Sequence, residues 1–392
     1  KMRSHDLLKQ AQALKPKLVE LRRRIHQNPE LVFDLPQTAA LVVETVRAAG
    51  WQVRSGVGRS GVVARRGDGK GRVIAIRADM DALPIQETND TPYASRVPGR
   101  MHACGHDAHT TCVMGAAMLL AEHELAGEVR LLFQPAEENS DDEGVSGAPR
   151  IIQDGALQGV DHVIALHVDG ALQTGCVRVV EGGSSAAVDT VRARVLGRGG
   201  HGAYPHETTD PIWLSAQVMN VLYAIPSRRV DPLQPSVVSI GMIQGGSASN
   251  IIPPSVYMEV TLRSVDPHVR EQLLSDVEQA FALVRNFGAD YELQVERGYP
   301  VLWNDPRVAD VIRRAARDML GPDCLVEPTR TMGAEDFSYM TEVAPGAMFS
   351  LGVMPPGGPP RMLHTPNFDI DEDALPIGSA LLAECALRLS AA

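Results

Sequence analysis

Three short apolar runs constrain this chain more than any other feature. "GRVIAIRADMD", "EVRLLFQPAEE" and "DHVIALHVDG" are rich in Val, Ile and Leu and short enough to be buried strands. "SGVVARR" has the same texture just upstream. Between the first two lies "DAHTTCVMGAAMLLAEHELAG", whose apolar positions recur at helical spacing, with Asp107 placed to cap it. The opening forty-odd residues read as helix broken at Pro29, and a second helix runs from about Gln37 to Ala49. The alternation predicts an α/β domain, a mixed sheet with helices on its faces in α/β/α layers. Asp79, Asp81, Glu137, Glu138 and His167 all fall at strand ends, where sites form in open α/β sheets.

The chain has 392 residues, too many for one ordinary core. A different texture begins near Ser184. "VDTVRARVLG" alternates, "PIWLSAQVMNVLYAI" is helical, and "QPSVVSIGMI" and "PPSVYMEVTLRS" read as paired strands. "HVREQLLSDVEQAFALVRNFG" is a helix and "DYELQVERG" a last strand. This β-α-β-β-α-β order predicts an inserted ferredoxin-like satellite domain over 184–298. The catalytic domain is then discontinuous, 1–183 and 299–392. A formal charge of −11 gives no sign of a phosphate-tracking surface, so no nucleic-acid partner is expected. No apolar run looks long enough to span a membrane. The five scattered cysteines do not describe a disulfide scaffold and favour a reducing, cytoplasmic compartment. The first residue is Lys1 rather than Met, which leaves a removed export signal open.

"RMHACGHDAHTTC" packs His102, Cys104, His106, His109 and Cys112 into thirteen positions. Cys104 and His106 precede a helix, whose positive end would favour a thiolate. Cys, His and carboxylate together suit a borderline or soft divalent metal. So many donors, with adjacent glutamates, are more naturally shared by two ions about 3.5–4 Å apart. The residues alone leave other readings open. Cys104 could be a nucleophile paired with a histidine, Asp79 and Asp81 could be turn residues, and Glu137–Glu138 could belong to the solvated acidic loop "NSDDEG". His102 and His109 read as structural or as supports of a ligand, and Cys112 as a core cysteine.

Nearly end to end, the sequence resembles the M20 metallopeptidase and amidohydrolase family, in its branch of hippurate, N-acyl-amino-acid and auxin-conjugate hydrolases. The resemblance is carried by "LRRRIHQNPEL", "IRADMDALPIQE", "MHACGHDAH", "FQPAEE", "GRGGHGAYPH", "GGSASNIIP", "MGAEDFSYM" and "LHTPNFDIDEDAL". It implies hydrolysis of the amide of N-acyl or aroyl amino acids, with a dipeptidase or aminopeptidase as the alternative. It also implies two divalent ions, zinc by default, with manganese, cobalt or nickel able to serve. One ion would be held with Cys104 and His167, the other with His106, Glu138 and His364, and Cys104 would bridge. Glu137 would be the general base and Asp81 would orient a ligand. Asp79 stands where other M20 branches place a metal-binding histidine. His201 would stabilise the oxyanion, often that of the partner subunit, and Asn250 and Arg263 would hold substrate. A homodimer or higher homo-oligomer through the inserted domain follows, with a small-molecule substrate as the other partner. One departure is visible: the short turn after "PAEE" is lengthened to "NSDDEGVSGAP". His167 fits the ligand position better than His162, which would lie at the other end of the strand, roughly 17 Å away.

Overall fold

The apolar runs form the middle of a seven-stranded sheet in the computed structural model, which describes residues 2–391. Its order is Gln52–Val57, Gly61–Arg66, Glu128–Gln134, Val73–Asp79, His162–Gln173, Gly346–Met354 and Val177–Arg178. The four strands from Glu128–Gln134 to Gly346–Met354 are mutually parallel, and the flanking pairs are antiparallel. The sheet is therefore mixed, and the parallel strands bring Asp79 and Gln134 to the same edge, where they are register partners.

Alternation along each strand explains the layers. On Glu128–Gln134, Val129, Leu131 and Phe133 enter a core shared with the helices His106–Ala121, Pro306–Leu320 and Ala374–Ala391. Arg130 turns to the opposite face, where its guanidinium donates to the carbonyls of Ala156 at 2.7 Å and Gln158 at 3.0 Å, just past the helix Gly147–Gln153. The domain is thus α/β with helical cover on both faces.

Three local features differ from the sequence reading. The first helix is two, Met2–Ala13 and Lys15–Gln27, because Pro16 lacks an N–H and is tolerated only where a helix starts. The helix His106–Ala121 takes Gly105 as its N-cap residue rather than Asp107. Asp107 lies inside the helix, buried against Arg22 and His26. Ala374–Ala391 has the length and mean hydropathy, 1.3, of a membrane span, but 83% of it is buried inside the protein. It is a core helix, hydrophobic all round because protein surrounds it.

The chain divides into two compact units: Lys1–Gly182, Trp303–Thr329 and Tyr339–Ala392 in one, Gly183–Leu302 and Arg330–Ser338 in the other. The second is built on a four-stranded sheet ordered Ser236–Gly245, Ser255–Ser264, Ala187–Leu196, Asp290–Arg297, antiparallel throughout. Chain order and sheet order together give the ferredoxin-like topology. Its helices Pro211–Arg228 and Pro267–Ala282 start alike. Asp210 accepts from the Ile212 amide at 2.9 Å and Asp266 from the His268 amide at 2.8 Å, with proline next in each case.

Candidate metal centre

The Cys-Gly-His spacing has a steric cause. Gly105 has φ +82°, and a Cβ there would lie 2.3 Å from Val168 Cγ2. Only glycine suits both constraints. The turn brings Cys104 Sγ to 3.5 Å from His167 Nε2 and 3.3 Å from His364 Nε2. Glu138 Oε1 is 3.2 Å from His364 Nε2 and 3.7 Å from His106 Nε2. A tetrahedral ion with N or O donors at about 2.1 Å and S at about 2.3 Å sets its donors about 3.3–3.6 Å apart. The donor set matches that spacing. His106 Nε2 and Glu138 Oε1 are buried without a hydrogen-bond partner among the described residues, which an ion explains.

The supporting hydrogen bonds aim these donors. His106 Nδ1 lies 2.8 Å from the Asp81 carbonyl and His167 Nδ1 2.8 Å from the Val168 carbonyl. A carbonyl only accepts, so each Nδ1 carries the hydrogen and each Nε2 lone pair is left for a metal. The Asp81 carboxylate accepts from the amides of Glu137 at 3.0 Å and Glu138 at 3.1 Å. One aspartate thus orients a histidine donor and the glutamate pair. Ala136 (φ 49°) and His364 (φ 61°) hold left-handed backbone, a strain of about 1–3 kcal/mol each. Backbone bonds secure them: Ala136 N donates to Val32 O at 3.0 Å, and His364 N to Ala103 O at 2.8 Å.

The thiolate expected from the helix start is not what the protein's own charges favour. Burial pushes the Cys104 thiol well above its ordinary range, His106 opposes this, and Glu138 adds to it. A bound cation would reverse the balance. Burial raises the Glu138 carboxyl too, but the adjacent His364 and His106 bring it down to about 2.

Two triads emerge, Cys104–His106–His167 and Cys104–Glu138–His364, joined at the sulfur. His106 groups with His167 in the first triad and also lies within reach of Glu138, the partner that the motif reading gave it. Glu137 lies outside both triads, in a third group with His106 and Glu138. A profile of Peptidase family M20/M25/M40 matches residues 75–388.

The chain belongs to this family. It is 40% identical to thermostable carboxypeptidase 2 of Saccharolobus solfataricus, over 95% of each chain. It is 39% identical to N-acetyl-L-cysteine deacetylase of Bacillus subtilis, over 96% of this chain and 89% of that one. The crystal structure of the Bacillus subtilis YXEP protein, described as a dinuclear metal-binding M20 peptidase, superposes with a TM-score of 0.84 at 32% identity, covering 97% and 99% of the two chains. The site of this M20 chain is a dinuclear-type ligand cluster, and the protein is a metal-dependent hydrolase.

Other residues singled out in the sequence fall outside the triads. His162 begins its strand and faces Pro345 O at 3.4 Å. Cys112 is buried in the core. His102 is buried with neither ring nitrogen hydrogen-bonded among the described residues, and burial pushes its pKa down to about 3. The acidic insertion is not simply solvated. The Asp141 side chain, 1% exposed, accepts from the amides of Glu143 and Val145 and pairs with Arg150 and Arg59. Sequence reasoning missed a buried polar network on the other side of His106. Arg22 Nε donates to Asp107 Oδ2 at 2.7 Å, and Arg22 Nη2 to Asp369 Oδ1 at 2.9 Å. His26 bridges Asp107 at 2.8 Å and Glu87 at 3.1 Å. Its signal was available, because Arg22 falls on the buried face of its helix with Leu18, Leu21 and Ile25.

In the second unit, His201 and Asn250 are neighbours. His201 pairs with Ile251 across a short ladder, and Gly202 N donates to Asn250 O at 2.8 Å. Ala203 N donates to His201 Nδ1 at 3.1 Å, so the proton sits on the exposed Nε2. Arg263 is elsewhere. It lies eight residues along the strand from Ser255, about 27 Å, with its guanidinium on the Met332 carbonyl at 2.9 Å.

Proposed function

We propose that this enzyme hydrolyses the amide bond of N-acyl and N-aroyl amino acids, giving a carboxylic acid and a free amino acid. Two ligand triads sharing one sulfur, with the second carboxylate Glu137 beside ligand Glu138, carry the reading. The name of the relative that deacetylates N-acetyl-L-cysteine supports the substrate class. Cys104, His106, Glu138, His167 and His364 would hold the ions, with zinc the first choice and manganese, cobalt or nickel able to serve. When bound, the ions lower the pKa of water and polarise a carbonyl oxygen.

Glu137 accepts the proton of the attacking water and passes it to the leaving amine. Held by Asp81 through its own amide, it keeps a fixed place beside Glu138. His201 donates from Nε2 to the developing oxyanion, and Asn250 and Arg263 hold the substrate's carboxylate or carbonyl. Arg263 is too far along its strand for one copy of the second unit to bring all three to one small substrate. This supports a homodimer in which His201 and Asn250 serve the partner's substrate. Exposed apolar residues on the same unit, Ile212, Trp213, Met242 and Ile243, offer a surface for it. The five unpaired cysteines support a reducing, cytoplasmic compartment.

Rates on N-acetyl- and N-benzoyl-amino acids, their carboxamides and free-amino dipeptides test the substrate class. N-acyl amino acids should lead in kcat/KM by more than about tenfold, or ~1.4 kcal/mol, and o-phenanthroline should abolish turnover. A lead for dipeptides would favour the dipeptidase alternative. Full activity in a verified metal-free preparation would exclude both readings.

A further inference from the structure

His109 touches no substrate in any reading above, yet both of its ring nitrogens are committed. It lies on the helix that begins with His106, one turn further on, buried to 1% exposure. Nδ1 is 2.6 Å from Asp79 Oδ1. Nε2 accepts the Val168 amide hydrogen at 2.9 Å. Asp79 is fixed in turn: its other oxygen takes Arg77 Nη1 at 2.7 Å, and its carbonyl takes the Thr110 hydroxyl at 2.7 Å. Asp79, His106 and His109 also converge closely enough to suggest a metal site of their own.

A backbone amide can only donate. The Nε2 lone pair is therefore spent on Val168, and the ring proton must reside on Nδ1, toward the Asp79 carboxylate. A nitrogen in that state binds no metal. The amide it holds belongs to the residue after His167, and the His109 and His167 rings meet edge to face at 4.5 Å. Arg77, Asp79, His109 and Val168 thus form a continuous chain of hydrogen bonds. It runs from the Val73–Asp79 strand through the His106–Ala121 helix to the His162–Gln173 strand. His106 and His167 come from the last two of these elements, and each must present Nε2 to the same sulfur-centred triad.

We propose that His109 is a positioning residue, a neutral Nδ1–H imidazole that sets the register between the helix carrying His106 and the strand carrying His167. The second histidine of "GHDAH" is then not a metal ligand. Nor is Asp79, whose two carboxylate oxygens hold Arg77 and His109. Without the imidazole, Val168 N–H and Asp79 both lose a buried partner, and His167 loses its fixed distance from Cys104. Supporting groups around metal ligands typically contribute 10–100-fold in metal affinity, and the same range is expected here.

The proposal rests on the metal-centre reading, and two measurements on the full-length protein separate them. The first needs no metal. Long-range proton–nitrogen NMR correlations of the wild-type histidines should give His109 the Nδ1–H pattern at neutral pH, and an Nε2–H pattern or an imidazolium overturns the proposal. This holds even if His109 variants fail to fold. The second measures zinc by competition with a chromophoric chelator, together with cadmium-113 NMR of the loaded protein. His109→Phe should lose about 10–100-fold in affinity for one ion with its far-UV circular dichroism retained. In the cadmium-loaded wild type, His106, His167 and His364 should couple to the metal and His109 should not. Coupling at His109, or wild-type affinity in a folded His109→Phe protein, overturns the proposal. A wild-type protein that binds no ion refutes the metal centre instead, leaving the tautomer result standing.

Discussion

Replacing Arg22 by methionine should unfold the catalytic unit at much lower denaturant. Arg22 and Asp107 are both fully buried, and removing one partner of such a pair costs about 3–5 kcal/mol, because the other charge is left uncompensated. The neighbours set where in that range the loss falls. Asp369 keeps the Tyr93 hydroxyl at 2.8 Å, and Glu372 keeps Arg23 at 2.6 Å. Asp107 keeps His26 at 2.8 Å but loses its shortest contact, and its Oδ1 already lacks a hydrogen bond among the described residues. The loss should therefore sit near the lower end, about 3 kcal/mol. With a urea m-value of about 3 kcal/mol/M, the midpoint falls by about 1 M. Trp51 is a suitable reporter, 3% exposed with its indole N–H on the Ala117 carbonyl at 3.0 Å. The exposed Trp213 and Trp303 would be changed to phenylalanine in both backgrounds. A shift below about 0.3 M, or about 1 kcal/mol on the same slope, would refute the reasoning. Adding Asp107→Asn should recover part of the loss by removing the stranded charge.

Glu137→Gln should keep both ions and lose at least about 10²–10⁴-fold in kcat, whereas Glu138→Ala should lose metal as well; metal analysis beside kinetics checks both. His201→Ala should cost about 3–4 kcal/mol of kcat with metal content unchanged, and mixing its chains with Glu137→Gln chains should restore activity if the histidine serves the partner's site. His26 sets a pH dependence. Burial and Arg22 disfavour its charged form, but Asp107 and Glu87 outweigh them and raise its pKa above 6.5. Its contribution is complete below about pH 6.5 and is lost as pH rises through the raised folded value. The urea midpoint should fall between pH 6 and 9, and His26→Gln should flatten that fall.

What the sequence showed followed from pattern strength. Val73–Asp79, Glu128–Gln134 and His162–Gln173 are almost wholly buried in their first halves, so their apolar runs stood out. Gln52–Val57 did not, because it is an edge strand with mostly exposed side chains and no apolar signature. The donors Cys104, His106, Glu138 and His167 could be placed at strand ends or before a helix from local pattern. His364 could not, since it lies on irregular backbone with a positive φ, and only the motif around it singled it out. The Arg22 network was hidden because charged residues are read as solvent-facing by default, although the stripe of Leu18, Leu21 and Ile25 marks which arginine turns inward. The sequence marks His109 as structural or as the support of a ligand but does not reveal its partner, because the Val168 amide belongs to a strand 59 residues away.

The buried helix Ala374–Ala391 places a clock on biosynthesis. It packs against His106–Ala121, Met2–Ala13 and Pro306–Leu320, so the helical face of the large sheet cannot be sealed before residue 391 is made. At about 5–20 residues per second, the 257 residues between Gln134 and Ala391 take roughly 13–50 s to synthesise. Through that interval Val129, Leu131 and Phe133 lack part of their cover, while the four strands of the second unit have one another as soon as Arg297 is made. Once Ser338 is made, a ribosome carrying this chain therefore displays one finished unit and, separately, an open apolar sheet. The yield of active enzyme in a cell should depend on what shields that sheet during elongation as much as on the stability of the completed fold.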